Sequence, residues 1–357
     1  MAFLADAVAA QGRPVTYVAN QPMSGDRAQL GWQPPSLKYA RLEIAPDLQS
    51  VEALVSNAPP DSIHICEGIR SNGLVGVAQK LLARRGLKQW VVMETVDDSG
   101  WFGFLKRPLY RYHFWRHRQN LSGILATGVN TRSWVVSRGV AEQKVFPFAY
   151  FLEAPKLFAT IRTQEEKVFR ILFVGQLIER KRVDLLISAL AALKHENIEL
   201  VVVGGGPLEQ KLRQQGEQQL PGRIEWKGRL PMHLVPNEIA TADCLVLPSR
   251  HDGWGAVVSE ALMVGTPVIC SDACGAAVAV KASGVGGVFA SNYIKHLTEV
   301  LSQQVCRGKV SQSERVRLAS WAEALGAQAG AQYLLSILEF TEKGGERPVP
   351  PWHQHLS

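Results

Sequence analysis

Residues 248–269 read PSRHDGWGAVVSEALMVGTPVI. They follow an apolar run, Cys244-Leu245-Val246-Leu247, of the kind presented by a parallel strand buried on both faces. A loop with two glycines, Gly253 and Gly255, comes next. Apolar positions then recur at helical spacing until Gly265-Thr266-Pro267 closes the segment, and Val268-Ile269-Cys270 begins another strand. Strand, loop, helix, strand is the repeating unit of an open parallel sheet. Asp252 lies in the loop and Glu260 on the helix, eight positions apart. Bare backbone N–H groups at a helix start are a seat for a phosphate, and Glu260 is placed to accept hydrogen bonds from sugar or ribose hydroxyls. Every α/β protein carries glycines in such loops, so spacing alone leaves Asp252 open as an ordinary solvent-facing acid.

The whole run resembles the donor-site signature of the large retaining GT-B glycosyltransferase family, the family 4 or group 1 type. That signature has two acidic residues separated by seven positions, then Ala-Leu/Met-x-x-Gly-x-Pro-Val. Here Asp252 stands where glutamate is usual, and Glu260 is followed by Ala261-Leu262-Met263-Val264-Gly265-Thr266-Pro267-Val268. A second segment carries the resemblance further. The apolar run Phe169–Val174 ends in Gly175 and continues Gln176-Leu177-Ile178-Glu179-Arg180-Lys181-Arg182. A basic loop leaving a strand is a cradle for a polyanion, although composition alone also fits surface Lys and Arg. The family reads Gly-Arg-Leu or Gly-Gln-Leu here, then a lysine that meets the donor diphosphate; Gly175 and Lys181 match those places. Gln176 replaces the commoner arginine, so one cation is missing, with Arg180 or Arg182 available to compensate. Arg182 stands where glycine is usual.

The resemblance implies an α/β chain of GT-B architecture, with two Rossmann-like doubly wound domains facing a cleft and C-terminal helices crossing back. The expected boundaries are 1–155 for an acceptor-side domain, 156–168 for a linker and 169–320 for a nucleotide-sugar domain, with crossover helices at 321–340 and a loose tail at 341–357. It implies a catalytic set of Asp252, Glu260 and Lys181. It implies donor binding by Gly175, Arg180, Lys181, Gly253, Gly255 and Glu260. No metal or other cofactor is called for, because cationic side chains take that role and no carboxylate cluster is spaced to hold a divalent ion. The implied reaction moves a hexosyl or N-acetylhexosaminyl unit, with retention, from a nucleotide-diphosphate sugar to a glycan or lipid-linked acceptor. Bacterial lipopolysaccharide, O-antigen or exopolysaccharide assembly is the expected setting. A sugar-nucleotide isomerase and a non-catalytic sugar-nucleotide binder are the alternatives. An NAD-linked enzyme is disfavoured, since no Gly-x-Gly-x-x-Gly precedes a ribose-binding acid.

Composition sets the limits of this reading. The chain has 357 residues, 46% hydrophobic and 20% charged, which suits two globular domains. Cysteines at 66, 244, 270, 274 and 306 lack a metal-ligand pattern and point to a reducing, cytoplasmic setting. No apolar run reaches membrane-spanning length. The net charge of +7 suits nucleic acid, an anionic membrane or phosphorylated ligands. Trp101–Arg118 interleaves cations with aromatics, and Ser99–Ala141 has seven Lys or Arg and no acid. This stretch reads either as a contact with a membrane surface or as a half-buried helix with its basic face in water. No nucleic-acid signature is present, so no such partner is expected. Pro108 argues against one unbroken helix there.

The N-terminal half begins with a helical pattern, Ala2–Gln11, before any strand. The family places a first strand and a glycine-bearing loop ahead of that helix. The expectation is a gap in the sheet and a natural coding sequence that starts upstream of Met1. Two strand-exit loops carry Glu67, Arg70, Glu94, Asp97 and Asp98. In a doubly wound sheet these face one crevice, as an acceptor site or as plain exposed charges. The histidine that the family often places near the Glu94–Asp98 loop is absent.

Overall fold

The apolar runs fold as strands, and the strand pairs described are parallel. The computed structural model describes residues 1–23, 25, 33–70, 72–98, 100–157, 168–193 and 197–353. The chain divides into two compact units. One comprises residues 1–24, 34–150 and 331–350, the other 25–33, 151–330 and 351–357. Most of the expected linker, residues 158–167, lies outside the described residues.

In the first unit the strands are β1 (Thr16–Ala19), β2 (Arg41–Ile44), β3 (His64–Glu67), β4 (Gln89–Glu94), β5 (Leu121–Thr127) and β6 (Val145–Phe148). They form two sheets, β1-β2 and β3-β4-β5-β6. The helix Ala2–Ala9 precedes β1, and Asp6 ties it to the approach to β2. One Asp6 carboxylate oxygen accepts from the N–H groups of Lys38, Tyr39 and Ala40 at 2.9, 2.7 and 2.9 Å. Strands β4 and β5 are covered on both faces, which explains their continuous apolar sequence.

The 101–118 stretch departs from expectation at Pro108. The helix Gly100–His117 runs through it unbroken. Pro108 is exposed, so the carbonyl left without an N–H partner is within reach of water and the usual penalty is reduced. The helix is anchored by Tyr110 and Phe114, which pack on Trp134 at ring separations of 5.0 and 6.4 Å.

The second unit holds β7 (Phe169–Val174), β8 (Ile198–Val203), β9 (Ile224–Gly228), β10 (Cys244–Leu247), β11 (Val268–Ser271) and β12 (Gly286–Phe289). Their order is β12-β11-β10-β7-β8-β9. This is a doubly wound sheet whose winding reverses between β7 and β10. Loops leaving the carboxyl ends of two such strands diverge and open a crevice at that switch point.

The C-terminal boundaries differ from those expected. Residues 321–330 belong to the second unit and 331–350 to the first. The expected loose tail is packed over its described part. Arg347 donates to the carbonyl of Val145 at 2.6 Å and lies 4.3 Å from the centre of the Phe146 ring. Trp352 is 1% exposed and packs between Phe151 and Trp254, each 6.2 Å away between ring centres. Apolar burial of the indole and a guanidinium bonded to strand-end carbonyls overcome the local preference of a Pro-rich end for loose structure.

Strand β5 passes beneath the Trp90 indole at Gly123, where an added Cβ would come within 2.3 Å of a ring carbon. Gly123→Ala is expected to lower the unfolding free energy by about 1–3 kcal/mol through overpacking. Urea unfolding measures this; a loss below about 0.5 kcal/mol, the range of neutral surface changes, would contradict the packing.

Candidate functional site

Two loops leave the switch point side by side, Gly175–Arg182 after β7 and Pro248–Gly255 after β10. They are pinned together by backbone. The N–H of Arg250 donates to the carbonyl of Arg180 at 2.8 Å, and the Arg180 guanidinium donates to the carbonyl of His251 at 2.8 Å. Between them lies an ion cluster. Lys181 Nζ sits 2.6 Å from Asp252 Oδ2, which also accepts from Ser249 Oγ at 3.0 Å. Arg180 stands 3.3 Å from Asp252 Oδ1. The Lys181 and Asp252 side chains are only 13% and 12% exposed, so water screens their attraction weakly. Burial alone would raise the Asp252 carboxyl. The Lys181 and Arg180 charges and the Ser249 hydroxyl outweigh it and hold Asp252 below its ordinary range.

A third loop, Asp272–Ala276 after β11, fixes the second from behind. The N–H of Asp252 donates to the carbonyl of Ala273 at 3.1 Å, that of Gly275 to Asp252 at 2.9 Å, and that of Ala276 to Trp254 at 2.8 Å. Gly275 is required for this approach, since a Cβ there would stand 1.8 Å from the carbonyl oxygen of Gly253. Trp254 is fully buried and donates from its indole to Ser259 Oγ at 2.9 Å, which locks the loop to the helix Ala256–Met263. Gly255 starts that helix in a left-handed conformation, φ +88°, and provides no side-chain cap. The first-turn N–H of Val258 donates to the carbonyl of Gly255 at 2.9 Å, and no side-chain cap takes up those of Ala256 and Val257, the kind of donors that can meet an anion.

Glu260 projects from the second turn of this helix. No ion pair or side-chain donor among the described residues reaches its carboxylate. Burial pushes its pKa up to about 7. Two carboxylates eight positions apart are thus held differently, Asp252 charged and Glu260 close to balance at neutral pH. A group in that condition is ready to accept from a hydroxyl-bearing ligand that replaces its lost hydration.

The residues expected from the sequence therefore divide clearly. Lys181, Arg180 and Asp252 come together in one cluster, with Gly175 against the Lys181 stem. Gly253 and Gly255 shape the adjoining loop, and Glu260 follows on its helix. Arg182 does not replace the cation missing at Gln176. It takes up the left-handed backbone, φ 54°, that a glycine would adopt freely, and its guanidinium is held by Asp184 at 3.1 Å and by the Asn292 side chain. Arg180 is the cation beside Asp252. Sequence reasoning missed Ser249, Trp254 and the entire 272–276 loop. The available signal was the small-residue run Ala273-Cys274-Gly275-Ala276 after a strand, which permits close backbone approach.

In the first unit, Glu67, Arg70 and Glu94 line one cavity. Asp98 does not join them, because it pairs with Arg138 and, at 3.3 Å, with Arg107. At Asp97 the backbone carbonyl accepts from Lys106 at 2.6 Å.

Residues 158–330 match the family described as "Glycosyl transferases group 1". This segment, just under half of the chain, is similar to that family. Among curated proteins, the chain is 34% identical over 187 residues to granule-bound starch synthase 1 of Pisum sativum, covering 52% of this chain and 29% of that one. It is 36% identical over 103 residues to the putative teichuronic acid biosynthesis glycosyltransferase TuaC of Bacillus subtilis, covering 29% and 24%. The chain thus spans less than a third of the length of these two relatives. Among solved structures, Anabaena Alr3699/HepE in complex with UDP superposes with a TM-score of 0.69 at 13% identity, covering 92% of this chain and all of that one. The likeness at that identity is one of fold, and the fold is GT-B.

Glu260 makes stability depend on pH. The unfolded carboxyl titrates near its ordinary 4.5 and the folded one near 7, so between these values the folded state holds more protons. The stability linked to this group is complete below about 4.5 and lost as pH rises through about 7. Glu260→Gln is expected to be more stable than the parent by up to about 3 kcal/mol at pH 8, the gap narrowing towards pH 5. Thermal unfolding at both pH values measures it; an equal gap at both would contradict the buried carboxyl.

Proposed function

We propose that the chain is a retaining glycosyltransferase that moves a sugar from a nucleotide-diphosphate donor to a glycan or lipid-linked acceptor. The observation that carries the reading is the Lys181–Asp252–Arg180 cluster at the switch point, beside an uncapped helix start and ahead of Glu260. In this reading the donor diphosphate displaces Asp252 as the partner of Lys181. Lys181 and Arg180 then neutralise the charge that grows on the leaving phosphate. Asp252, released from the ion pair, accepts from sugar hydroxyls. Glu260 accepts from the ribose. Leaving-group phosphate assistance accounts for retention without a protein nucleophile, and the two cations take the part a metal plays elsewhere. The group 1 family match and the relative named for teichuronic acid biosynthesis support assembly of a bacterial surface glycan.

The acceptor reading extends to a membrane surface through the helix Gly100–His117. Its core side is Tyr110 and Phe114. Its other side is also apolar, with Phe104 71% and Trp115 59% exposed. Phe104, Pro108, Tyr112 and Trp115 recur at spacings of four, four and three, which places them on one helical face. Arg107 and Arg111 flank that face, and Arg118 stacks 4.7 Å from the centre of the Trp115 ring. Aromatics at the lipid boundary with cations towards anionic head groups suit this arrangement.

Nucleotide release from UDP-, GDP- and ADP-sugars, with and without a bacterial membrane-glycan extract, tests the transferase. The expected result is extract-dependent release with one donor, reduced about 100-fold or more by Lys181→Ala. Release indifferent to the extract would favour a sugar-nucleotide isomerase, and nucleotide binding without turnover in any mixture would favour a non-catalytic binder. Co-sedimentation with phosphatidylglycerol vesicles tests the helix. The double change Phe104→Ser and Trp115→Ser should abolish sedimentation, and Arg111→Ala should weaken it about fivefold; unchanged sedimentation in both would overturn the membrane reading.

A further inference from the structure

We propose that Asn292, on the loop leaving β12, is a positioning residue for Lys181 and acts through the Arg182 guanidinium. The proposal rests on the transferase reading only for the use to which Lys181 is put.

The backbone carries the first observation. Arg182 and Asn292 are the two non-glycine residues with positive φ among the described residues, at +54° and +61°. They also touch, since one Nη of Arg182 donates to Asn292 Oδ1. Asparagine visits the left-handed region readily, whereas arginine enters it at a cost. Arg182 adopts it at a joint. It ends the short turn Glu179–Lys181 and precedes the helix Val183–Ala192. A left-handed residue between two right-handed segments breaks one from the other. With φ negative, the turn would run on into the helix and Lys181 would leave its place against Asp252. The Arg182 dihedral therefore fixes where Lys181 stands.

The guanidinium holds that dihedral at both ends. Asp184 accepts from Nε at 3.1 and 3.2 Å and from one Nη at 3.1 Å, and Asn292 accepts from the other Nη. Asp184 lies on the helix that Arg182 starts and moves with it. Asn292, 110 positions away, is the external anchor. Its loop is itself fixed. The N–H of Ala290 donates to His296 Nδ1 at 3.0 Å, and that of Ser291 to Asp272 Oδ1 at 2.9 Å. Ser291 Oγ reaches the carbonyl of Arg250 at 3.4 Å, and the N–H of Arg250 donates to the carbonyl of Arg180 at 2.8 Å. These contacts close a ring through residues 182, 292, 291, 250 and 180, so the loops leaving β7, β10, β11 and β12 constrain one another. A surface pair alone contributes little to stability. The Arg182 side chain is 24% exposed, and the contribution of its bond to Asn292 is to geometry, because the planar fork is held in one orientation.

Reductive methylation of the full chain, read by mass spectrometry, measures how often the Lys181–Asp252 pair opens and needs no nucleotide. Asn292→Gly leaves the left-handed backbone accessible and removes the amide. Asn292→Asp keeps an acceptor for the guanidinium. Lys227, paired with Glu238 at 2.7 Å in the same unit, is the control for general loosening. The expected result is Lys181 labelled about fivefold faster in Asn292→Gly, the size of effect that one ordinary hydrogen bond carries. Lys227 should be unchanged, and Asn292→Asp should restore the parental rate. In an Arg182→Gly background, Asn292→Gly should have no further effect, because the link is already gone. Lys181 labelling unaltered in Asn292→Gly, a parallel rise at Lys227, or an effect undiminished in the Arg182→Gly background would overturn the proposal. Titration with UDP, GDP and ADP separates the two readings. At least one should bind the parent and lose about fivefold in affinity in Asn292→Gly. Faster Lys181 labelling with no change in the binding of any nucleotide would overturn the diphosphate reading of Lys181 and leave the positioning role standing.

Discussion

The second unit's site depends on the balance of charge around Asp252. A carboxylate 12% exposed is stable in its charged form only because Lys181, Arg180 and Ser249 surround it. Those partners come from two loops that are far apart in sequence and adjacent at the switch point between β7 and β10. The parallel order of the sheet makes that meeting possible, and the backbone bonds from Arg250 to Arg180 and from Asp252 to Ala273 keep it in register. Removing Lys181 would leave a largely buried charge with only the half-exposed Arg180 and Ser249 beside it, a larger penalty than the loss of a surface pair.

The same few residues underlie the proposal of a ligand that is anionic at one end and hydroxylated at the other. Lys181, 13% exposed, is already largely desolvated and held in place, so in the proposed reaction little reorganisation accompanies its transfer from Asp252 to phosphate oxygens. Glu260 has lost hydration without gaining an ion pair or side-chain donor among the described residues. In the proposed reaction these two groups would serve the anionic end and the hydroxylated end of the donor, on either side of the start of the helix Ala256–Met263. In the proposed reaction the Asp252 charge, structural in the ion pair with Lys181, becomes available to a sugar once Lys181 moves to the phosphate.

Much of this was legible in the sequence because parallel strands and their exit loops leave strong local marks. Buried strands read as apolar runs, and Gly-x-Gly ahead of a helix reads as an anion seat. Gly175, Lys181, Asp252 and Glu260 were singled out this way, helped by family resemblance, and the structure places Gly175, Lys181 and Asp252 together. What stayed hidden was long-range. Nothing near Cys274 in sequence says that its loop backs onto Trp254, twenty positions away. The fate of Arg182 depended on Asn292, 110 positions away, and a pattern of cations could not choose between it and Arg180. Pro108 failed as a helix breaker because its rule concerns backbone bonds in isolation, whereas Tyr110 and Phe114 anchor the helix through packing. The C-terminal stretch failed similarly, since its prolines say little about a buried Trp352.

The most direct measurement is a structure of the full chain with an intact nucleotide-diphosphate sugar, obtained by crystallography. The account predicts the diphosphate within hydrogen-bond reach of Lys181 Nζ, the Lys181–Asp252 pair opened, and the ribose hydroxyls on Glu260. A donor bound elsewhere, or bound with the Lys181–Asp252 pair still closed at 2.6 Å, would contradict it.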